Sequence, residues 1–87
     1  MEFEFDLDKS TSNKEKHGID FVEIQRLWDD PKHMVVPARS TTEIRHALIG
    51  ELDGKVWACV FTPRGENLRI ISARKARNDE KEGYYHG

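Results

Sequence analysis

Asp53-Gly54-Lys55-Val56-Trp57-Ala58-Cys59-Val60-Phe61-Thr62 is the stretch whose reading decides the fold. Side chains alternate along a strand, so Val56, Ala58 and Val60 point to one side of a sheet and Trp57, Cys59 and Phe61 to the other. Both sets are apolar. Such a strand needs cover on both faces, from helices on each side or from a partner on one of them. Asp53-Gly54 favours a tight hairpin turn, and a second strand, Glu43–Ile49, lies across Gly50–Gly54. Pro63-Arg64-Gly65-Glu66 reads as the next turn and Leu68–Ala73 as the strand after it. Three consecutive antiparallel strands result, with Met34-Val35-Val36 as a short fourth.

The flanks supply helices. Phe3 and Phe5 alternate with Glu2, Glu4 and Asp6, the period of a half-buried strand. Asp8 to His17 is polar but carries helix signals: Ser12-x-x-Glu15 fits a capping box and Gly18 fits the position past a helix end. Asp20-x-x-Glu23 is a second capping box, with Ile19 and Ile24 spaced as a hydrophobic staple. Phe21, Ile24, Leu27 and Trp28 then share one helix face, and Asp29-Asp30-Pro31 stops the helix. Arg74 to Tyr85 reads as a closing helix weakened by Gly83. The pattern is α+β: one domain over residues 1–87, a small antiparallel β-sheet with helices packed on it.

Composition narrows the function classes. A chain of 87 residues has a thin core, so a surface site suits it better than a deep cleft. The lone Cys59 permits no internal disulfide and reads as a small core hydrophobe. No apolar run approaches the about 20 residues of a membrane span, and the acidic N-terminus is unlike a signal peptide, so a cytoplasmic location and no membrane partner are expected. The net charge of −2 hides an asymmetry. Residues 1–30 hold 4 Lys/Arg against 9 Asp/Glu, whereas residues 39–77 hold 8 against 4. Six of those eight cations are arginine, the residue that grips phosphate with a planar fork. A solvated, aggregation-resistant sheet edge is the plainer reading of the same charges. His17, His33, His46 and His86 include no i, i+4 pair and have no cysteine pair beside them, so neither a metal site nor a cofactor is expected.

Several segments carry a resemblance. Asn13-Lys14-Glu15-Lys16-His17-Gly18-Ile19-Asp20-Phe21 resembles the early Asn-x-x-Lys-His-Gly-(apolar)-x-Phe motif of the BrnT family, and Asp29-Asp30-Pro31 fits the break that follows. Glu43-x-Arg45 ahead of Ile49-Gly50, Phe61-Thr62-x-Arg64-Gly65 and Arg69-Ile70-Ile71-Ser72-Ala73-Arg74-x-Ala76 resemble later family segments. Glu80 and Tyr84 occupy the places of a Glu and a Tyr in the family's closing helix. Two departures stand out: Phe5 replaces the usual Trp before Asp6, and Gly83 interrupts the closing helix. The resemblance implies a RelE-like fold and a ribonuclease toxin of a type II toxin–antitoxin system that inhibits translation. It also implies a BrnA-like antitoxin that neutralises the toxin and carries the complex to operator DNA.

Metal-independent RNA cleavage needs a base for the ribose 2′-OH, cations for the charge on phosphorus and an acid for the leaving 5′-oxygen. Arg64 and Arg74 are the expected catalytic cations, with Arg45, Arg69 and Arg77 as RNA-binding cations. Lys16, His17, Glu80 and Tyr84 are the candidates for proton transfer, His17 because its ordinary pKa lies near neutrality. Each has a plainer reading. Glu43–Arg45 fits an exposed ion pair, Arg74 fits a partner for an acid of the closing helix, Tyr84 fits packing, and His17 fits the end of its helix. Two functions compete: an RNA endonuclease acting on free or ribosome-associated message, and a non-catalytic partner of an antitoxin serving as a repressor subunit. Arg45, Arg64 and Arg74 gathered around one concave surface favour the first; scattering them favours the second.

Overall fold

A computed structural model describes residues 1–87. Its strands are β1 (Phe3–Glu4), β2 (Met34–Ala38), β3 (Arg45–Leu52), β4 (Lys55–Arg64) and β5 (Asn67–Lys75). Its α-helices are α1 (Leu7–His17) and α2 (Asn78–His86), and a 3₁₀ helix spans Glu23–Asp29. The strands form one sheet in the order β1-β5-β4-β3-β2. β2 to β5 make the expected antiparallel meander, while β1 joins β5 in parallel, so the sheet is mixed.

β4 lies at the centre with both faces buried, as its sequence requires. Trp57, Cys59 and Phe61 enter one core with Ile19, Phe21, Ile24, Leu27 and Ile70. Val56 and Ala58 enter a second, smaller core with Ala47, Ile49 and Ala76. The 3₁₀ helix covers the first face, and Tyr84 of α2 packs on the second. The first face is therefore covered from within the chain and the second only in part, Val60 being left half-buried. Cys59 is buried, and burial pushes its thiol up, which suits an inert packing role.

The local signals moved in physically informative ways. β3 runs on through Gly50, which passes beneath Leu27, so the turn shrinks to Asp53-Gly54. Both turn residues have positive φ, 52° and 82°, the conformation a right-twisted two-residue hairpin needs. The expected amphipathic helix from Phe21 is a 3₁₀ helix instead. Phe21, Ile24 and Leu27 are spaced by three, which suits three residues per turn, and all three are fully buried. Its capping box is reciprocal: Glu23 N–H donates to Asp20 Oδ1 (2.8 Å) and Asp20 N–H donates to Glu23 Oε1 (3.0 Å).

α1 starts earlier than the Ser12 signal suggests. Asp6 caps it by accepting from Lys9 N–H at 3.1 Å, and Ser12 is an exposed interior residue. The inward residues of α1 are polar, so no apolar period marks the helix. Ser10 Oγ accepts from Phe21 N–H at 2.9 Å. The buried Asn13 amide donates to the carbonyls of Ile19 and Ala73, each at 2.8 Å, and its oxygen accepts from Ala73 N–H at 3.3 Å. Asn13 thus stands where a neighbouring strand would otherwise satisfy the outer edge of β5.

Replacing Asn13 with Leu keeps its bulk but orphans these groups. Leaving a buried polar group unpaired costs about 1–3 kcal/mol, so N13L is expected to lose at least about 2 kcal/mol in urea unfolding. A loss below ~0.5 kcal/mol contradicts the anchoring role.

Candidate nucleic-acid interface

Directly opposed residues in adjacent strands point to the same face. Arg74 opposes Ala58, and Ala58 opposes Ile49, so Arg74 stands on the α2 side of the sheet. Ala38 opposes Arg45 on that side, two residues before Ala47, which opposes Val60. Met34, Val36, Ala47 and Val60 form an apolar floor between β2 and α2. Arg39, Arg45, Arg74 and Arg77 line the same groove, whose volume is about 760 Å³. The groove also holds Asp79 and Glu80, so its lining carries four arginines against two acids.

The remaining nominated residues divide between two layers. Arg69 opposes Thr62 and lies 4.0 Å from Glu4. Arg64 is exposed at the end of β4, six residues beyond Ala58, or about 20 Å along the strand at ~3.3 Å per residue. Counting alternation along β4, both extend the arginine-bearing face past the groove. Lys16 and His17 are exposed in the last turn of α1, and Gly18 after them lines a cleft with Trp57 and Lys55. They belong to the layer across the sheet from Arg74 and Glu80.

α2 is held by polar ties rather than by an apolar stripe; none of its residues is fully buried. Arg74 grips Glu80 with both forks, at 2.7 Å and 3.1 Å. Arg77 N–H also donates to Glu80 Oε1 at 2.8 Å, which caps the helix start. The Arg74 fork, aided by the Arg77 amide, holds the Glu80 carboxyl below its usual range against the opposing effect of burial. Glu80 in turn raises Arg74 above its ordinary value. The plainer reading of Arg74 thus describes its geometry in the free protein.

Tyr84 is occupied elsewhere. Its hydroxyl donates to Asp30 Oδ2, which also accepts from Glu51 N–H at 2.8 Å, while Asp30 Oδ1 accepts from Lys32 N–H at 2.9 Å. Burial pushes the Asp30 carboxyl up, but these hydrogen bonds outweigh it and leave the group below its usual range. The bond to Asp30 and burial together push the Tyr84 hydroxyl up to about 12. Gly83 lets the helix approach: a Cβ there would lie 3.1 Å from the Met34 methyl. The feature that weakens α2 in isolation permits its docking.

Three contributors escaped the sequence reading. Arg39 was only one charge in a run, Asp30 only a helix stop, and Asn13 only a motif letter. Arg39 had a clue in its position after the short Met34 strand; the long-range partners of Asp30 and Asn13 had none. Arg45, for its part, pairs with Glu43 at 3.1 Å, but the pair is half-buried rather than exposed.

Two pH effects follow from these ties. Glu80 and Asp30 have folded values below 4.5 and 3.8, so their contribution is present above those values and lost as pH falls through the lower folded ones. Below about pH 4, thermal stability should therefore fall more steeply in the wild type than in the double variant E80Q/D30N; equal slopes contradict this. Tyr84 acts oppositely: its contribution is full below pH 10 and is lost between 10 and about 12. Phenolate absorbance should show one tyrosine titrating late, and Y84F should remove that step.

No helix is long and apolar enough to cross a membrane. No curated protein matches the chain. A family model described as the ribonuclease toxin BrnT of a type II toxin–antitoxin system matches residues 5–80, which include every residue lining the groove but Gly83. Membership implies an RNA target and an antitoxin partner. The chain belongs to the BrnT family of ribonuclease toxins.

Proposed function

We propose that this chain is a metal-independent RNA endonuclease acting in the groove between β2 and α2, neutralised by a BrnA-like antitoxin that covers this face. The observation that carries the reading is the gathering of Arg39, Arg45, Arg74 and Arg77 around one concave surface; of the three arginines expected to converge, Arg45 and Arg74 do, and Arg64 stands apart at the end of β4. Arginine forks match phosphate oxygens, and cations aimed at developing charge are the largest single aid to phosphoryl chemistry.

Glu80 occupies the Arg74 fork as a phosphate would. On binding, the RNA phosphate takes over that fork and releases the carboxylate. Losing its cation raises the basicity of Glu80, which then accepts the proton of the ribose 2′-OH. The 2′-oxygen attacks phosphorus as the bond to the 5′-oxygen breaks. Arg74, with Arg77 beside it, carries the charge on the phosphoryl oxygens, Arg45 and Arg39 hold the next phosphate, and the departing 5′-oxygen takes its proton from water. The products are a 2′,3′-cyclic phosphate and a free 5′-hydroxyl. Tyr84 holds α2 in place through Asp30 and transfers no proton. Arg64 and Arg69 grip the strand further along the same face. Lys16 and His17, across the sheet, take no part in the chemical step.

The Arg74–Glu80 pair also favours a second reading, a repressor subunit whose helix is simply pinned by an ion pair. Kinetics separates the two. R74A is expected to lower cleavage by about a hundredfold, the usual cost of removing one charge-stabilising donor. R74K should recover little, because the bidentate fork is lost, and R64A should weaken binding more than turnover. Cleavage should persist in EDTA. Expression of the chain alone should stop bacterial growth, and its antitoxin should restore it. A folded, soluble wild-type protein that leaves RNA intact and growth normal favours the repressor subunit.

A further inference from the structure

The groove differs from a plain basic patch because its floor is apolar. Met34, Val36, Ala47 and Val60 offer no strong hydrogen-bonding side-chain group, Ser72 beside Val60 adds a single hydroxyl, and the cations stand at its ends: Arg39 and Arg45 beside β2 and β3, Arg74 and Arg77 at the junction of β5 and α2. We infer that the groove is built for unpaired RNA, with one base laid on the apolar floor and the flanking phosphates held by the arginines at either end. The inference deepens the ribonuclease reading and rests on it.

Size and chemistry agree with this occupant. About 760 Å³ lies within the ~300–1,000 Å³ range of small-ligand sites, enough for a nucleotide. A base-paired helix keeps its bases stacked inside and cannot lay one on the floor, whereas an unpaired strand can splay a base out. The floor reads base edges poorly, because the Ser72 hydroxyl, opposite Val60, is its one strong side-chain donor or acceptor. Discrimination then follows apolar contact area, so purines bind better than pyrimidines and sequence preference is otherwise slight. An acidic peptide matches the arginines equally well, but the apolar floor between them suits the alternation of base and phosphate. Arg69 and Arg64 continue the track for the next phosphates.

The test uses fluorescent 2′-O-methyl oligonucleotides, which cannot be cleaved through the 2′-oxygen, with fluorescence anisotropy as the readout. Oligoadenylate is expected to bind more tightly than oligouridylate, and both at least tenfold more tightly than a blunt duplex of equal length. V36F adds an aromatic platform to the floor. Base–aromatic stacking is worth about 1–3 kcal/mol, so V36F should tighten single-strand binding about tenfold. V60E should weaken it by at least tenfold with an unchanged circular dichroism spectrum.

Duplex binding equal to single-strand binding overturns the inference, as does a folded V36F with unchanged affinity. Capture of a polyglutamate peptide but of no oligonucleotide also overturns it and marks a peptide site. Cleavage of unmodified RNA, measured in parallel, keeps the two proposals apart. Arg74-dependent cleavage without strand preference leaves the ribonuclease reading and removes the floor. A strong single-strand preference without any cleavage removes the ribonuclease reading and leaves the floor.

Discussion

The two apolar faces of β4 are the constraint on which the rest depends. Hydrogen bonding to β3 and β5 fixes this strand at the centre of the sheet, and its alternation sends Trp57, Cys59 and Phe61 one way and Val56 and Ala58 the other. An 87-residue chain cannot thicken both layers equally. The 3₁₀ helix and its neighbours give one face an eleven-residue core. The other face has five buried residues and the short, polar α2. The groove lies where that second cover stops. A concave, arginine-lined surface with an apolar floor is what remains when a two-faced strand is only partly roofed.

Polar side chains take over work that a larger protein assigns to backbone or apolar contacts. Asn13 satisfies the edge of β5 and ties it to the segment after α1. Asp30 gathers α2, β3 and the loop before β2 through Tyr84, Glu51 and Lys32. Glu80 binds the start of α2 to the end of β5. No buried side-chain polar atom is left without a partner. That matters because orphaned polar groups cost most in a thin core. The same economy gives Glu80 two meanings: it pins the helix in the free protein and is the group an incoming phosphate must displace.

Patterns local in sequence were the legible part of the fold. Alternation in Val56–Phe61, the Asp53-Gly54 turn and the Asp20–Glu23 box all survive in the structure because each depends on neighbours a few residues away. β1 did not reveal its parallel pairing with β5, since the contact joins residues more than sixty positions apart. α1 hid its inward face because Ser10 and Asn13 are polar. At the site, Arg45, Arg74, Arg77 and Glu80 could be named from sequence and share one groove. That Lys16 and His17 lie in the other layer could not be, because only packing decides on which side of a sheet a helix settles.

Charge asymmetry acquires a spatial meaning in this frame. The excess of acids in residues 1–30 surrounds α1 and the 3₁₀ helix, whereas the arginines of residues 39–77 face the α2 side. A chain with net charge −2 can therefore present one phosphate-attracting face. The most direct test of that placement is an NMR titration of the isotope-labelled protein with a 2′-O-methyl oligonucleotide, followed through the backbone amides. The expected shifts fall on Val36–Arg39, Arg45–Ala47, Ser72–Arg77 and the first turn of α2, with α1 unmoved. Shifts concentrated at Lys16, His17 and the cleft beside Trp57 contradict it and move the RNA site to the opposite face.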